Sequence, residues 1–165
     1  AAQWKPPERV AAVEPTPEEP DESEEPDESD DDGSAPCTVE VSRSSRLGTF
    51  RIDVQIEERA AALVVDTGAS ITAITRDLLV DAGVAIDEER TINAITAAGP
   101  VQFPTAVVGS IRVAGRVVRG LRVAVCEQCA GKDADGLLGL DVQAPLGMEL
   151  DVRESVVRFV NCDAD

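Results

Sequence analysis

What most limits this chain is the strict alternation in GTFRIDVQIE (48–57), where Phe50, Ile52, Val54 and Ile56 are separated by Arg51, Asp53 and Gln55. A side-chain period of two belongs to a strand with one face in a core and the other in water. After Glu57-Glu58-Arg59, the run AAALVV (60–65) reads as the hairpin partner of that strand, buried on both faces. TINAITAAGPVQFPTAVV (91–108) predicts a second hairpin with its tip near Ala97-Ala98-Gly99-Pro100. SIRVAGRVVRGLRVAVC (110–126) predicts a third, turning at Ala114-Gly115, and MELDVRESVVRFV (148–160) a closing one around Arg153-Glu154-Ser155. The period changes in ITRDLLVDAGV (74–84): Thr75 is placed to cap a short helix, Leu78 and Leu79 face inward, and Gly83 ends it. About nine short strands with one or two short helices make an all-β domain, a compact barrel or sandwich.

The domain does not begin at the first residue. Residues 1–36 carry 13 acids against Lys5 and Arg9, a net −11; the other 129 residues carry −6 of the total −17. EPTPEEPDESEEPDESDDDGSAP has nothing to bury, so residues 1–36 are expected to be a disordered acidic Pro/Glu/Asp-rich linker, extended by its own charge. Residues 37–165 are rich in Val, Ile, Leu and Ala and hold the domain. The acidic balance argues against nucleic acid, since no basic stripe exists to displace counterions from phosphates. Arg112, Arg116, Arg119 and Arg122 fit the solvent side of a hairpin. No apolar run is long enough to span a membrane. The chain starts at Ala1, which suits a mature or trimmed form whose N-terminal signal or anchor has been removed.

Four cysteines, Cys37, Cys126, Cys129 and Cys162, place one at each edge of the domain and two in a C-x-x-C. The pattern suits two disulfides in an oxidising compartment, Cys37 with Cys162 and Cys126 with Cys129. Four cysteines permit three pairings, and a weak zinc pattern and free thiols stand as alternatives. The disulfide reading, with the acidic spacer, points to a secreted or cell-envelope (periplasmic) protein, tethered or released.

The chemistry concentrates where the apolar strand ends, at Asp66-Thr67-Gly68-Ala69-Ser70. Gly68 permits a sharp turn and leaves its N–H free to bond the acid, and the Thr67 hydroxyl is placed to fix the loop on backbone groups. DGLLGLD (135–141) is a second small apolar strand, whose Gly139 permits close backbone approach. Asp135, just before Gly136, reads as a loop acid. The chain has no His and no Tyr, which excludes Ser-His and Cys-His catalysis and leaves Ser70 without a base. No ligand set for a catalytic metal is present, and no cofactor is called for.

In this order, a hairpin, DTGAS, a second hairpin, Leu-Leu-Gly and a closing hairpin, the chain resembles the retropepsin-like aspartic proteases, the single-domain relatives of retroviral proteases that also occur in bacteria. The resemblance spans about residues 48–160 and implies a closed β-barrel of the acid protease fold. It also implies a role for each matching position. Asp66 matches the catalytic aspartate, and Thr67 the threonine that braces the active-site loops across a dimer. Gly68 supports that loop, and Ala69 and Ser70 lie where substrate is contacted. The hairpin around Ile95–Val101 matches the flap, with Ala97, Ala98 and Gly99 facing substrate, and Leu137, Leu138 and Gly139 match the strand behind the loop. Asp141 stands where the family commonly has Asp or Asn, and reads as a helix cap. Retroviral members pair an Asp at the Ser70 position with an Arg at the Leu140 position; here both are missing together, so no orphan charge results.

A single half-site carries a further implication. Hydrolysis in this family needs two carboxylates sharing a proton, and the chain holds one Asp-Thr-Gly. The second must come from another copy, so the expectation is a homodimeric aspartic endopeptidase acting on a peptide or protein substrate. The alternative is a catalytically inactive peptide-binding or dimerisation module on the same fold.

Overall fold

A computed structural model describes residues 35–44, 48–160 and 162. The expected acidic linker thus lies almost wholly outside the described residues. In chain order the elements are β1 (Thr38–Glu40), β2 (Ser42–Arg43), β3 (Phe50–Ile56), β4 (Arg59–Val65), β5 (Ala73–Thr75), α1 (Arg76–Asp81), β6 (Ile86–Thr96), β7 (Gly99–Val113), β8 (Arg116–Cys126), β9 (Gly136–Leu138), α2 (Leu140–Leu146), β10 (Met148–Asp151) and β11 (Val156–Phe159).

The strands choose a barrel over a sandwich. One sheet runs β2-β3-β4-β9-β5-β8-β7-β6, and a further pairing of β3 with β7 closes its six central strands into a ring. The closure is possible because β7 is 15 residues long. Its first part pairs with β6, while Ile111–Val113 cross to Val54–Ile56 on β3. Every pairing in the ring is antiparallel except β4–β9 and β5–β8. The interior is aliphatic, with Ile52, Ile56, Leu63, Ile74, Val108, Ile111, Val123 and Leu138 fully buried. On β3 the predicted alternation holds, with Phe50, Ile52, Val54 and Ile56 all inside.

Two local expectations need correction. Within AAALVV only Leu63, Val64 and Val65 are buried in succession, while Ala60 is exposed and Ala62 half-buried. The helix begins after Thr75, as expected. Ala73–Thr75 first form β5, drawn into the barrel between β8 and β9, and α1 follows. Thr75 does occupy the residue before α1, but its side chain makes no capping bond; its N–H is held by the Asp135 carbonyl at 2.9 Å. Leu79 is buried as expected, and Gly83 takes a φ of +73° just past the helix end.

A small sheet, β1-β11-β10, gathers the two ends of the domain. Cys37 and Cys162 lie beside it at disulfide distance, Cα atoms 5.3 Å apart, and Cys126 and Cys129 pair likewise at 5.7 Å. The arginine set divides. Arg112 and Arg119 are exposed, whereas Arg116 stacks on Phe159 at 3.8 Å and Arg122 donates to Thr105. No helix among the described residues is long and apolar enough to cross a membrane.

Candidate active site

β4 and β9 lie parallel, with Val64 opposite Leu137 and Val65 opposite Leu138. The pairing runs one step beyond β4, where the Asp66 N–H donates to the Leu138 carbonyl at 3.1 Å. The chain then turns back sharply. The Gly68 N–H donates to Asp66 Oδ1 at 2.9 Å, and the Ala69 N–H to the Asp66 carbonyl at 3.3 Å. The Leu140 N–H in turn donates to the Ala69 carbonyl at 2.8 Å. A buried strand therefore delivers the carboxylate to the barrel's rim, where Asp66 is half-buried and Thr67, Gly68 and Ser70 are exposed. Among the described residues the Thr67 hydroxyl makes no hydrogen bond, so within one chain it does not fix the loop as expected. The loop is fixed from beneath.

Two glycines make that support possible. Gly136 has a φ of +155°, and a Cβ there would lie 2.1 Å from the Ala73 carbonyl oxygen. At Gly139 a Cβ would meet backbone atoms of Ile71 and Thr72 at 2.6 and 2.8 Å. Backbone cannot yield as a flexible side chain does, so β9 reaches β5 and the Asp66 loop only because these positions lack side chains.

Asp141 is not the helix cap. Gly139 takes the N-cap position of α2, and Asp141 lies in the first turn with its carboxylate aimed at Thr72. Both carboxylate oxygens accept the Thr72 N–H at 3.0 Å, and Oδ1 accepts the Thr72 hydroxyl at 2.6 Å. That hydroxyl accepts the Gly139 N–H at 3.0 Å. Thr72 is completely buried, so it joins the strand that leaves the Asp66 loop to the start of α2. Asp135 is not a free loop acid either. Its carboxylate accepts the Ala62 N–H at 2.9 Å, and its own N–H donates to the Ala62 carbonyl at 2.8 Å.

Sequence reasoning missed Thr72 and Gln143. Gln143, on α2, is 4 % exposed, and its Nε2 donates to the carbonyls of Asp66 at 3.1 Å and Leu138 at 2.6 Å. A lone Gln inside LDVQAPL offers no signal of this, since the partners are remote in sequence.

The second hairpin, β6–β7, rises as an arm with Ala97 and Ala98 at its two-residue tip between Thr96 and Gly99. The Thr96 hydroxyl donates to the Gly99 carbonyl at 2.8 Å and accepts the Ala98 N–H at 3.2 Å. Ile95 beside the tip is 92 % exposed. At the root, Ile92 and Phe103 pack on Ala73, Ala124 and Cys126, together with Cys129 and Leu137. Arg76 at the start of α1 binds Glu88 on β6 and Glu127 after β8, and these carboxylates raise its already high pKa, Glu88 most. The structure thus brings Asp66–Ser70 together with Leu137–Gly139. Ala97, Ala98 and Gly99 belong to the arm.

Comparison with known proteins follows the same outline. A family model described as "Aspartyl protease" matches residues 52–142. No curated protein matches. Among solved structures, a retropepsin-like aspartic protease from Rickettsia conorii superposes with a TM-score of 0.54 at 19 % identity, over 74 % of this chain and 89 % of that one. EIAV protease, solved in complex with the inhibitor HBY-793, superposes with a TM-score of 0.51 at 19 % identity, over 67 % and 99 %. At that identity the likeness speaks for the fold, which is retropepsin-like. The family match reaches from β3 into α2, across both strands that hold the Asp66 loop, and the chain belongs to the aspartyl protease family.

Proposed function

We propose that this protein is an aspartic endopeptidase that works as a homodimer, each copy supplying one Asp66 to a shared dyad. The observation that carries this reading is the cradle of Asp66: a lone carboxylate at the barrel's rim that accepts the Gly68 N–H, on a residue whose own backbone N–H donates to the Leu138 carbonyl. Two carboxylates brought together cannot both ionise cheaply, so they share one proton. The ionised Asp66 takes a proton from the attacking water, and the neutral one gives its proton to the scissile carbonyl oxygen. In the resulting gem-diol the Asp66 that took the water proton gives it to the amide nitrogen, the other Asp66 takes a hydroxyl proton back, and the C–N bond breaks to leave an acid and an amine.

The surface around Asp66 suits a second copy. Thr67 is exposed with its hydroxyl free for a partner loop, and Leu140 is an apolar side chain left 42 % exposed against that loop. Ala69 and Ser70 contact an extended peptide from below, and the arm with Ala97, Ala98 and Gly99 closes over it. Two cysteine pairs at disulfide distance favour work in an oxidising compartment, secreted or in the cell envelope.

The test is Asp66→Asn in the full chain, assayed on a peptide library beside sedimentation at rising concentration. Cleavage should vanish with circular dichroism unchanged, and wild-type specific activity should fall on dilution with the dimer fraction. Peptidase activity surviving in the variant, or in a strict monomer, would refute the shared dyad. Saturable binding of extended peptides by a wild type that cleaves none would assign the fold to a binding module.

A further inference from the structure

We propose that Gln143 is a positioning residue for Asp66, setting the height of its carboxylate at the dyad through two carbonyl contacts from below. The inference rests on the protease reading. Asp66 has four hydrogen-bonded handles. Its N–H is held by Leu138, its Oδ1 by the Gly68 N–H, and its carbonyl by the Ala69 N–H and Gln143 Nε2. Among the described residues Gln143 is the one side chain in that set. The two hydrogens of its amide nitrogen go to the carbonyls on either side of the Asp66 N–H···O bond, tying loop and strand to α2.

The geometry gives this clamp an unusual lever. In a symmetric dimer both copies carry the same displacement, so an error in the height or tilt of one Asp66 loop enters the carboxylate pair twice. Proton sharing needs the two groups within hydrogen-bond reach, and productive constellations tolerate only about half an ångström. The Ala69 N–H cannot take over this task, since at 3.3 Å it is the longest contact Asp66 makes and belongs to the loop itself. Gln143, by contrast, sits on a helix whose start is pinned by Asp141 and Thr72.

Gln143→Leu tests the clamp, because it removes both donors at similar volume while leaving each carbonyl one backbone partner. In the full chain it should lower kcat about 10- to 100-fold with KM little changed, the cost typical of an ångström-scale misplacement. Amide hydrogen exchange over residues 66–70 should quicken while β3 and β4 keep their protection. Gln143→Glu separates positioning from packing. A neutral carboxyl retains one donor and an ionised one repels both carbonyls, so the alkaline limb of its kcat profile should move to lower pH, while at acidic pH, where the carboxyl is neutral, the melting temperature stays near wild type. The proposal is overturned by wild-type exchange over 66–70 in Gln143→Leu, by unchanged kcat despite quickened exchange, or by losses that merely track unfolding. If wild type cleaves nothing, the dyad reading fails. Quickened exchange confined to 66–70 would still support the clamp as what positions that loop.

Discussion

Thr72→Val replaces a buried hydroxyl by a methyl of nearly the same shape, and the structure says which bonds go. The hydroxyl donates to Asp141 Oδ1 and accepts the Gly139 N–H, while the backbone N–H and carbonyl of Thr72 keep their partners in Asp141 and Ala124. Losing a hydrogen bond to a charged group costs about 1.5–3 kcal/mol, and leaving the buried Gly139 N–H without an acceptor costs about 1–3 kcal/mol. The terms share one atom and will not add fully, so the expected loss is about 3–4 kcal/mol, a large fraction of a typical domain's stability. Thr72→Ser is the control. It keeps both bonds and loses one buried methyl, for about 1 kcal/mol. Urea unfolding at one fixed protein concentration reads both variants, the fixed concentration being needed because dimerisation would shift the midpoint. If Thr72→Val is as stable as Thr72→Ser, the hydroxyl is not the tie between the Asp66 loop and α2, and the support described beneath the site is wrong.

Replacing Cys37 and Cys162 together by Ser opens a loop spanning 125 residues, for which chain entropy gives about 5 kcal/mol as an upper figure; the same urea experiment should show a loss of several kcal/mol, and a loss under about 1 kcal/mol would argue against the bond. Asp151 yields a pH prediction. The Arg158 hydrogen bond, then the Glu154 N–H, lower its pKa, so its contribution is present above the unfolded carboxylate value and lost as pH falls through the folded one. Asp151→Asn should therefore melt below wild type at about pH 6 and converge with it at about pH 2; an equal gap at both would refute the assignment.

The sequence shows whatever repeats locally. The alternation through Phe50–Ile56 marks an inward face, and a strand running into Asp66-Thr67-Gly68 marks a carboxylate held at a turn. The turns at Ala97-Ala98, Ala114-Gly115 and 152–155 follow from short-range chemistry and fall where expected. Such signals survive because strand period and turn geometry depend on neighbours in the chain. The sequence alone thus determined an all-β chain with one cradled acid and glycines beside it.

Tertiary structure decided the rest. Whether the strands would form a sandwich or a ring depended on β7 reaching β3, a contact between segments far apart in sequence. It also decided which polar residues serve the site. Thr72 meets Asp141 across 69 residues, Asp135 meets Ala62 across 73, and Gln143 meets Asp66 across 77. In one dimension each reads as a cap, a loop acid or a helix polar residue, because a side chain's role is set by the carbonyls and amides that the fold places beside it. The physical reason is that a buried polar group is costly without a partner, and only the closed barrel determines which partners are within reach.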